Sequence, residues 1–481
     1  MRSGRYLYAC AVLVALVVGL GLWKPTHVKA DHDRAPRFRV DPFWPKPLPA
    51  PVGTDGIAHR WVQGEVAGSC TDQWDNVYTF NRGWEVGVSV NGTLQNNQSG
   101  AINSNDATPA KAIPSPPVVA FNTEGKTVAG WGNPALVPVS TAAGAYSATA
   151  APGRAAYMPN GAHGCFVDYQ GYVWVGGNGD GVVQKYNPTA AQAAGVAATF
   201  VYQFGVKDNC DTTSGICGET GALNTAPAVG TAGSATKLNE PPDMTVDPLP
   251  DPVTGTRGSV YIADGYGNHR VIVFTTADGG ATYQFNRQFG SNCGHNETPN
   301  GTTTPGTPCP LGTFGATGGG HPHCVVLGND GLVYTCDRPN NRIQVWTKTG
   351  TVLKEIHISN FPTAAPAKLA AILSAGNRSC DMDFYPNVDS LAGNSPTHQK
   401  YIVNVDLQSD NTYLMERDGE VLSAFGRCGI APCPGHNAGE FAYNHTTNVD
   451  SKGNVYIAET ITGRRIQKFV RVDDDDDHDH H

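Results

Sequence analysis

Short apolar runs that alternate with polar positions recur along the chain, and each run is followed by a turn or a polar loop. Residues 321–334, HPHCVVLGNDGLVY, show the unit: an apolar run after His323, a turn from Gly328 to Gly331, and a second apolar run. Alternation with a period of two, broken by glycine-containing turns, predicts paired β-strands. Six copies are visible: NVYTFNRG (76–83), YVWVGGNGDGVVQKY (172–186), SVYIADGYGNHRVIVF (259–274), LVYTCDRPNNRIQVW (332–346), NVYIAETITGRRIQKF (454–469) and a weaker KYIVNVDLQSDNTYLME (400–416).

Six copies of one strand-turn-strand unit predict an all-β fold, a six-bladed β-propeller with four strands in each blade. The same number of strands could form a β-sandwich, but the repeat favours the propeller. A content of 57 Gly and 34 Pro with 16 % charged residues fits many short strands joined by turns. We expect the propeller at residues 61–472, with a long insertion at 84–156 that holds one strand pair (116–132). A Pro-rich lead-in at 31–60 should cross the propeller face or close the first blade.

The two ends of the chain carry segments of a different kind. A basic start (Arg2 and Arg5), an apolar run and a small-residue cleavage pattern predict a signal peptide at residues 1–30, with an uncleaved membrane anchor as the alternative. Residues 473–481, DDDDDHDHH, predict an acidic, disordered tail. We therefore expect a secreted or periplasmic protein with no further membrane span. The sequence does not indicate an oligomeric state.

Net charge and cysteine content narrow the classes of partner and compartment. The formal net charge of −9 argues against a nucleic-acid-binding protein. Twelve cysteines in an exported chain predict disulfide bonds. The pairing of most cysteines cannot be deduced from the sequence, but short loops predict three local pairs: Cys210–Cys217, Cys293–Cys309 and Cys428–Cys433.

Alignment of the copies by their first turn places a histidine at one position in three of them. His163, His323 and His445 each lie eight residues before a turn glycine. They belong to blades two, four and six, which are related by about 120° around a propeller axis whose channel the first strands line. Ala67 and Pro242 hold the position in blades one and three, and blade five allows no firm assignment. We predict that the three imidazoles bind a metal ion and leave a fourth position open, as in catalytic zinc sites. Three buried structural histidines are the alternative.

Three further residues are candidates for chemistry at the same mouth of the channel. Arg82 in FNRG and Tyr266 in ADGYGNHR follow equivalent strands of blades one and three, and Arg338 in CDRPNNR is a weaker candidate. An arginine can pair with a substrate carboxylate, and a tyrosine beside a dication can act as a base. Alone, each could be a surface ion pair or a packed loop residue. A structural role between blades is predicted for three arginines that recur at one repeat position: Arg270, Arg342 and Arg465.

Taken together, these segments resemble the peptidyl-α-hydroxyglycine α-amidating lyases, which are six-bladed propellers built from NHL-type repeats. The order along the chain, Arg82, His163, Tyr266, His323 and His445, is the order of the motif residues in that family. The resemblance implies zinc on the three histidines and a catalytic pair made of the arginine and the tyrosine. It also implies that a small-molecule or peptide substrate ending in α-hydroxyglycine is cleaved to an amide and glyoxylate.

The chain departs from that family directly after its third histidine. The family has an aspartate there, which serves a structural calcium ion in the channel, and this chain has Thr446. Calcium is therefore expected only if other oxygen atoms replace the missing carboxylate. Two other functions stay open: a metal-dependent hydrolase or lactonase, and a non-catalytic exported scaffold that binds protein or glycan through its loops.

Overall fold

A computed structural model shows six four-stranded antiparallel sheets arranged as a β-propeller, which confirms the predicted fold. The first strands of neighbouring blades lie against one another around a central channel. The structure describes residues 35–52, 58, 60–82, 89–90, 93–94, 113–132, 158–159, 161–179, 181–188, 198–205, 237–294, 309–315, 321–358, 379–386, 399–407, 409–426 and 435–472. The predicted signal peptide and acidic tail lie outside these residues.

In every blade the first strand lies beside the channel and the fourth strand lies at the rim. In that order, blade one contains Val66–Thr71, Val77–Asn81, Val118–Phe121 and Thr127–Trp131; blade two contains Ala162–Val167, Val173–Gly177, Val182–Asn187 and Thr199–Phe204; blade three contains Asp243–Asp247, Ser259–Asp264, Arg270–Thr275 and Gln284–Phe289. Blade four contains Val325–Leu327, Leu332–Asp337, Arg342–Thr347 and Val352–His357; blade five contains Asp381–Tyr385, Tyr401–Asp406, Asn411–Glu416 and Val421–Phe425; blade six contains Asn444–Val449, Val455–Glu459, Arg465–Val472 and Arg37–Val40. Two short pairs lie outside the blades: Trp61–Val62 with Ile113–Pro114, and Ser89–Val90 with Thr93–Leu94.

The lead-in closes the sixth blade rather than the first. Its strand Arg37–Val40 pairs antiparallel with the end of Arg465–Val472 and supplies the fourth strand that blade six otherwise lacks. Trp44 then packs between the last and first blades, with its ring 4.9 Å from that of Tyr456 and 5.5 Å from that of Phe121. The lead-in therefore joins the two ends of the ring of blades.

The strand pair assigned to the insertion belongs to the first blade. Val118–Phe121 pairs with Val77–Asn81, and its four residues are fully buried. Thr127–Trp131 adds the fourth strand. The insertion into blade one therefore lies between its second and third strands, and residues 116–132 are a structural part of the propeller.

The three recurring arginines have a structural role, but their ion pairs join consecutive strands within one blade, whereas the sequence predicted a role between blades. In each case the guanidinium Nε contacts a carboxylate at the end of the second strand, at 2.7–2.8 Å. The pairs are Arg270 with Asp264, Arg342 with Asp337, and Arg465 with Glu459. Apolar clusters fill the space between blades, as where Tyr334 of blade four meets Phe384 of blade five. A blade cannot bury its faces alone, so the ring depends on these contacts.

Disulfides link both local and distant segments. The predicted Cys293–Cys309 bond is present, while the other two predicted pairs fall on residues that the structure does not describe. Cys70–Cys165 joins the first strands of blades one and two, and Cys324–Cys336 joins the residue before the first strand of blade four to the second strand of that blade. Cys380 is a buried free thiol. Within the described ranges there is no helix with the length and apolarity to span a membrane.

Candidate metal centre

Three histidines from alternate blades meet at the channel. His163, His323 and His445 are all buried, and one ring nitrogen of each lies within 4.8 Å of the others. Their ring centroids are 4.5–5.1 Å apart, and the rings meet edge to face. The structure thus brings together the three residues that share one repeat position, in an arrangement that could hold a metal ion.

We call this repeat position the axial position, and the odd-numbered blades use it differently. Each imidazole lies against the backbone carbonyl oxygen of the axial residue in the next blade: His163 Nδ1 against Pro242 (2.9 Å), His323 Nδ1 against Cys380 (2.6 Å) and His445 Nδ1 against Ala67 (2.7 Å). A carbonyl oxygen only accepts, so each Nδ1 is the protonated donor and each Nε2 keeps its lone pair. Metal-binding histidines are commonly oriented by such a hydrogen bond. The contact also identifies Cys380 as the axial residue of blade five.

Burial keeps the three imidazoles neutral. It lowers the pKa of His163 and His323 well below the usual range, and neighbouring positive groups add to the effect. Burial, followed by the nearby Arg82 guanidinium, lowers the pKa of His445 to about 3. Neutral imidazole is the form that binds metal ions. The site is therefore ready to bind a cation across the neutral pH range.

Tyr266 places its hydroxyl at the same point. Its Oη atom is 3.2 Å from Nε2 of His323 and 3.4 Å from Nε2 of His163. The tyrosine follows the second strand of blade three, which runs back toward the histidine end of the channel. Gly265 permits this approach because a Cβ atom there would clash with the carbonyl oxygen of Pro322.

Arg82 is held beside the histidines by groups from blades one and two. Its Nε donates to the carbonyl oxygen of Ala162, the residue before His163, at 2.8 Å. Its Nη2 donates to Asn178 Oδ1 at 3.2 Å, and its Nη1 contacts the fully buried carboxylate of Glu65 at 3.4 Å. The guanidinium is therefore fixed in position at the mouth that also contains Tyr266.

Arg338 lies beside the ring of Tyr266. Its guanidinium carbon is 5.8 Å from the centre of the Tyr266 ring, and its Nη1 is 3.8 Å from Cys380 Sγ. That thiol lies 3.7 Å from His323 Nδ1, the nitrogen that faces away from the common point. Burial raises the pKa of Cys380 to about 12, so it remains a neutral thiol. Cys380 is thus placed as a neighbour of a candidate ligand rather than as a ligand.

The donors fit zinc better than calcium. Three neutral imidazole nitrogens with oriented rings are a common zinc donor set, whereas calcium requires several oxygen atoms. Thr446 offers only a hydroxyl, which is 3.3 Å from Ser69 Oγ. The carboxylates at the corresponding position, one residue after the axial residue, are Asp243 of blade three and Asp381 of blade five. The calcium site stays a prediction.

Glu65 and Asn178 were not predicted from the sequence. Asn178 directly follows the second strand of blade two, as Arg82 does in blade one and Arg338 in blade four. An alignment on this second repeat position would have indicated it. Glu65 precedes the first strand of blade one, where no repeat signal distinguishes a buried carboxylate from a solvent-exposed one.

One comparison, with a model of a repeat family, agrees with the fold. Residues 320–346, in blade four, match the NHL repeat family. No curated protein sequence matches the chain. Similar solved structures include a streptogramin B lyase (12 % identity, 85 % of this chain and 94 % of that chain, TM-score 0.39) and a gluconolactonase from Xanthomonas campestris (10 %, 91 % and 100 %, 0.39). Another is a protein of unknown function from Bacteroides thetaiotaomicron (13 %, 91 % and 77 %, 0.46). Likenesses this distant do not identify an activity.

Proposed function

We propose that the chain is an exported, zinc-dependent carbon–nitrogen lyase that converts an α-hydroxyglycine-type substrate into an amide and glyoxylate. The observation that supports this most directly is the position of Tyr266 Oη, 3.2 and 3.4 Å from the Nε2 atoms of two histidines. A group that can accept a proton and a site that can hold a Lewis acid thereby share one point. The three disulfides of the described residues suit an oxidising, extracytoplasmic compartment.

Two arginines suit an anionic substrate. Arg82 and Arg338 lie on opposite blades, one and four, at the mouth that contains Tyr266. Both guanidinium groups are buried, so they act in a region of low dielectric constant where their attraction for a carboxylate is stronger than in water. We assign them to the substrate carboxylate and to the orientation of Tyr266, whose ring lies against Arg338.

The proposed reaction moves one proton and breaks one bond. Zinc held by His163, His323 and His445 would supply Lewis-acid polarisation of substrate oxygen atoms. Tyr266, as the phenolate that a bound dication would favour, accepts the proton of the substrate hydroxyl at Oη while the C–O bond becomes the carbonyl of glyoxylate. The C–N bond breaks, its electron pair passes to the amide nitrogen, and that nitrogen takes the proton from Tyr266. Substrate hydroxyglycine is thus divided into amide and glyoxylate with no net gain or loss of protons.

A metal-dependent hydrolase or lactonase is the second candidate, because three histidines with an open position are also suited to the activation of water. Such a hydrolase has no evident need for a tyrosine at this point. A non-catalytic scaffold would use neither the tyrosine nor the open position. Tyr266 and the metal content therefore separate the three functions.

The test is glyoxylate release from an α-hydroxyhippurate-type substrate by the purified protein, with and without a chelator. We expect release that the chelator abolishes, together with about one zinc per chain. Tyr266→Phe should keep the zinc and lose on the order of 10²–10⁴-fold in rate, the usual range for a general acid or base. Zinc without glyoxylate release would leave the hydrolase or scaffold, and protein without zinc would leave the scaffold.

A further inference from the structure

A cavity of about 410 Å³ lies in the channel on one side of the histidines. His163 and His323 line one end of it, and Gln73 and Leu249, in exposed turns between first and second strands, line the other. Each first strand runs from its axial residue to such a turn. The second strand then runs back along the channel, and Arg82 and Arg338 follow second strands. The cavity therefore opens on the face opposite to Arg82 and Arg338. We call the cavity the shaft, and the two faces the turn face and the arginine face.

The lining of the shaft is strongly acidic. Its only lysine is Lys348, which is paired with Asp247, and it contains no arginine among the described residues. Seven aspartates line it: Asp72, Asp75, Asp168, Asp243, Asp247, Asp381 and Asp383. The arginine face has the opposite sign, because two buried guanidinium groups stand at its mouth. The channel thus changes from positive to negative along its axis, with the histidines between the two regions.

The inner aspartates have a structural role, and their burial sets the pH above which they add charge to the shaft. One oxygen of each accepts a backbone N–H from the free edge of the next blade at 2.8–2.9 Å: Asp243 from Val325, Asp381 from Thr447 and Asp383 from Val449. Burial raises the pKa of Asp243 and Asp383 to about 7 and that of Asp381 well above its usual range, so Asp243 and Asp383 add negative charge to the shaft at pH values above about 7. The lysine of the described lining is paired with Asp247 rather than with these three.

Polar groups beside these carboxylates have no partner. The hydroxyl of Thr447 and both amide atoms of Asn448 are buried without a hydrogen bond in the described structure, and both residues line the shaft. Each side chain is 5 % exposed. Buried polar groups are normally satisfied, so such atoms indicate a site that interacts with water or an ion. Hydroxyl and amide oxygens next to carboxylates are suitable transient ligands for a hydrated divalent cation.

We propose that the shaft is the path by which a divalent cation enters from the turn face and reaches the three histidines, while the anionic substrate uses the arginine face. This inference rests on the metal site of the proposed function. A cleft lined by one sign of charge concentrates counter-ions and can raise association rates by roughly 10–10³-fold. The two buried guanidinium groups would repel a dication that approached from the other side.

The test measures how fast metal-free protein takes up Co²⁺ at about pH 8, where Asp383 is largely ionised, followed by the cobalt absorption band after rapid mixing. Asp383→Asn is compared with Asp418→Asn, which removes the same charge from an exposed turn of the same blade, outside the shaft. At low salt we expect Asp383→Asn to slow uptake by about 3–10-fold, and Asp418→Asn to leave it near the wild-type rate. The difference should shrink at about 1 M salt, and all three proteins should bind about one cobalt.

Equal uptake rates for the two variants at low salt would overturn the path. Wild-type protein supplies an independent measurement if Asp383→Asn does not fold. Entry through the acidic shaft predicts that uptake slows as ionic strength rises, whereas entry past Arg82 and Arg338 predicts that it accelerates. If wild-type protein bound no cobalt, the proposed metal site itself would be contradicted. None of these measurements depends on lyase activity.

Discussion

Even and odd blades use the same repeat position in different ways. In blades two, four and six the axial side chain is a histidine that points into the channel, and in blades one, three and five it is Ala67, Pro242 or Cys380. The odd positions contribute a backbone carbonyl that receives the imidazole N–H. A ring of six similar blades can therefore form a three-fold site when only every second blade has a histidine at the axial position. The backbone carbonyl groups of the other three blades orient the imidazole rings.

The comparison extends one residue further along the first strands. In odd blades three and five the residue after the axial position is Asp243 or Asp381, whereas the even blades have Gly164, Cys324 or Thr446. The odd blades thus carry buried carboxyl groups below the site, and the even blades carry the neutral nitrogen ligands. The axial side chains of the even blades should therefore decide metal binding. The carboxyl groups of the odd blades should instead affect the charge of the shaft and the stability of the fold.

The largest effect should come from removal of an even-blade imidazole. His323→Ala deletes one of three nitrogen ligands, so we expect zinc content to fall from about one per chain to near zero after dialysis. The loss of affinity should exceed the roughly 10–100-fold that loss of an outer-shell partner costs. Elemental analysis of the purified protein measures it.

His357→Ala is the matched control for that change. His357 lies in the outer strand of the same blade with a 45 % exposed side chain, far from the channel, so zinc should be retained. Retention of zinc by His323→Ala would mean that the three histidines are structural and that even and odd blades do not differ in function.

The blades and the histidine trio could be predicted because both depend on a local spacing. The eight residues from His323 to Gly331 end in a turn that needs a positive φ, which is 76° at Gly331, and insertions between blades leave that spacing intact. Blade closure by Arg37–Val40 and the Cys70–Cys165 bond could not be predicted. They join segments that are far apart in sequence, 95 residues in the case of the disulfide. Cys380 was missed for another reason: a backbone acceptor places no requirement on the side chain, so no residue type marks it.

An intermediate effect should come from an odd-blade carboxylate. Burial raises the pKa of Asp383 from 3.8 to about 7. The folded protein therefore holds a proton that the unfolded chain releases, and this group's contribution to the free energy of unfolding falls as pH rises from about 4 to about 7. Asn cannot ionise, so the stability of Asp383→Asn relative to wild type should increase by about 1–3 kcal/mol between about pH 5 and pH 8. Urea unfolding of metal-free protein at each pH measures this difference.

Only the change with pH is diagnostic in that experiment, because Asn cannot accept both backbone amides that Asp383 accepts from Phe384 and Val449. The lost hydrogen bond changes the free energy of unfolding by about the same amount at every pH. Asp243→Asn should show the same trend, since burial also raises the pKa of Asp243 to about 7. A difference that stays flat or decreases with pH would show that these carboxylates are ionised in the shaft without cost.

The smallest effect should come from Cys380→Ala, which changes the axial side chain of an odd blade. The carbonyl oxygen that receives His323 Nδ1 belongs to the backbone and remains in place, so zinc affinity should change by less than about threefold. The Cys380 thiol contacts the non-ligand nitrogen of His323 and the guanidinium of Arg338, at 3.7 and 3.8 Å. Competition with a chromogenic chelator measures the affinity beside that of wild type. If Cys380→Ala lost zinc as His323→Ala should, the thiol would be a ligand, and the division of labour between even and odd blades would fail at blade five.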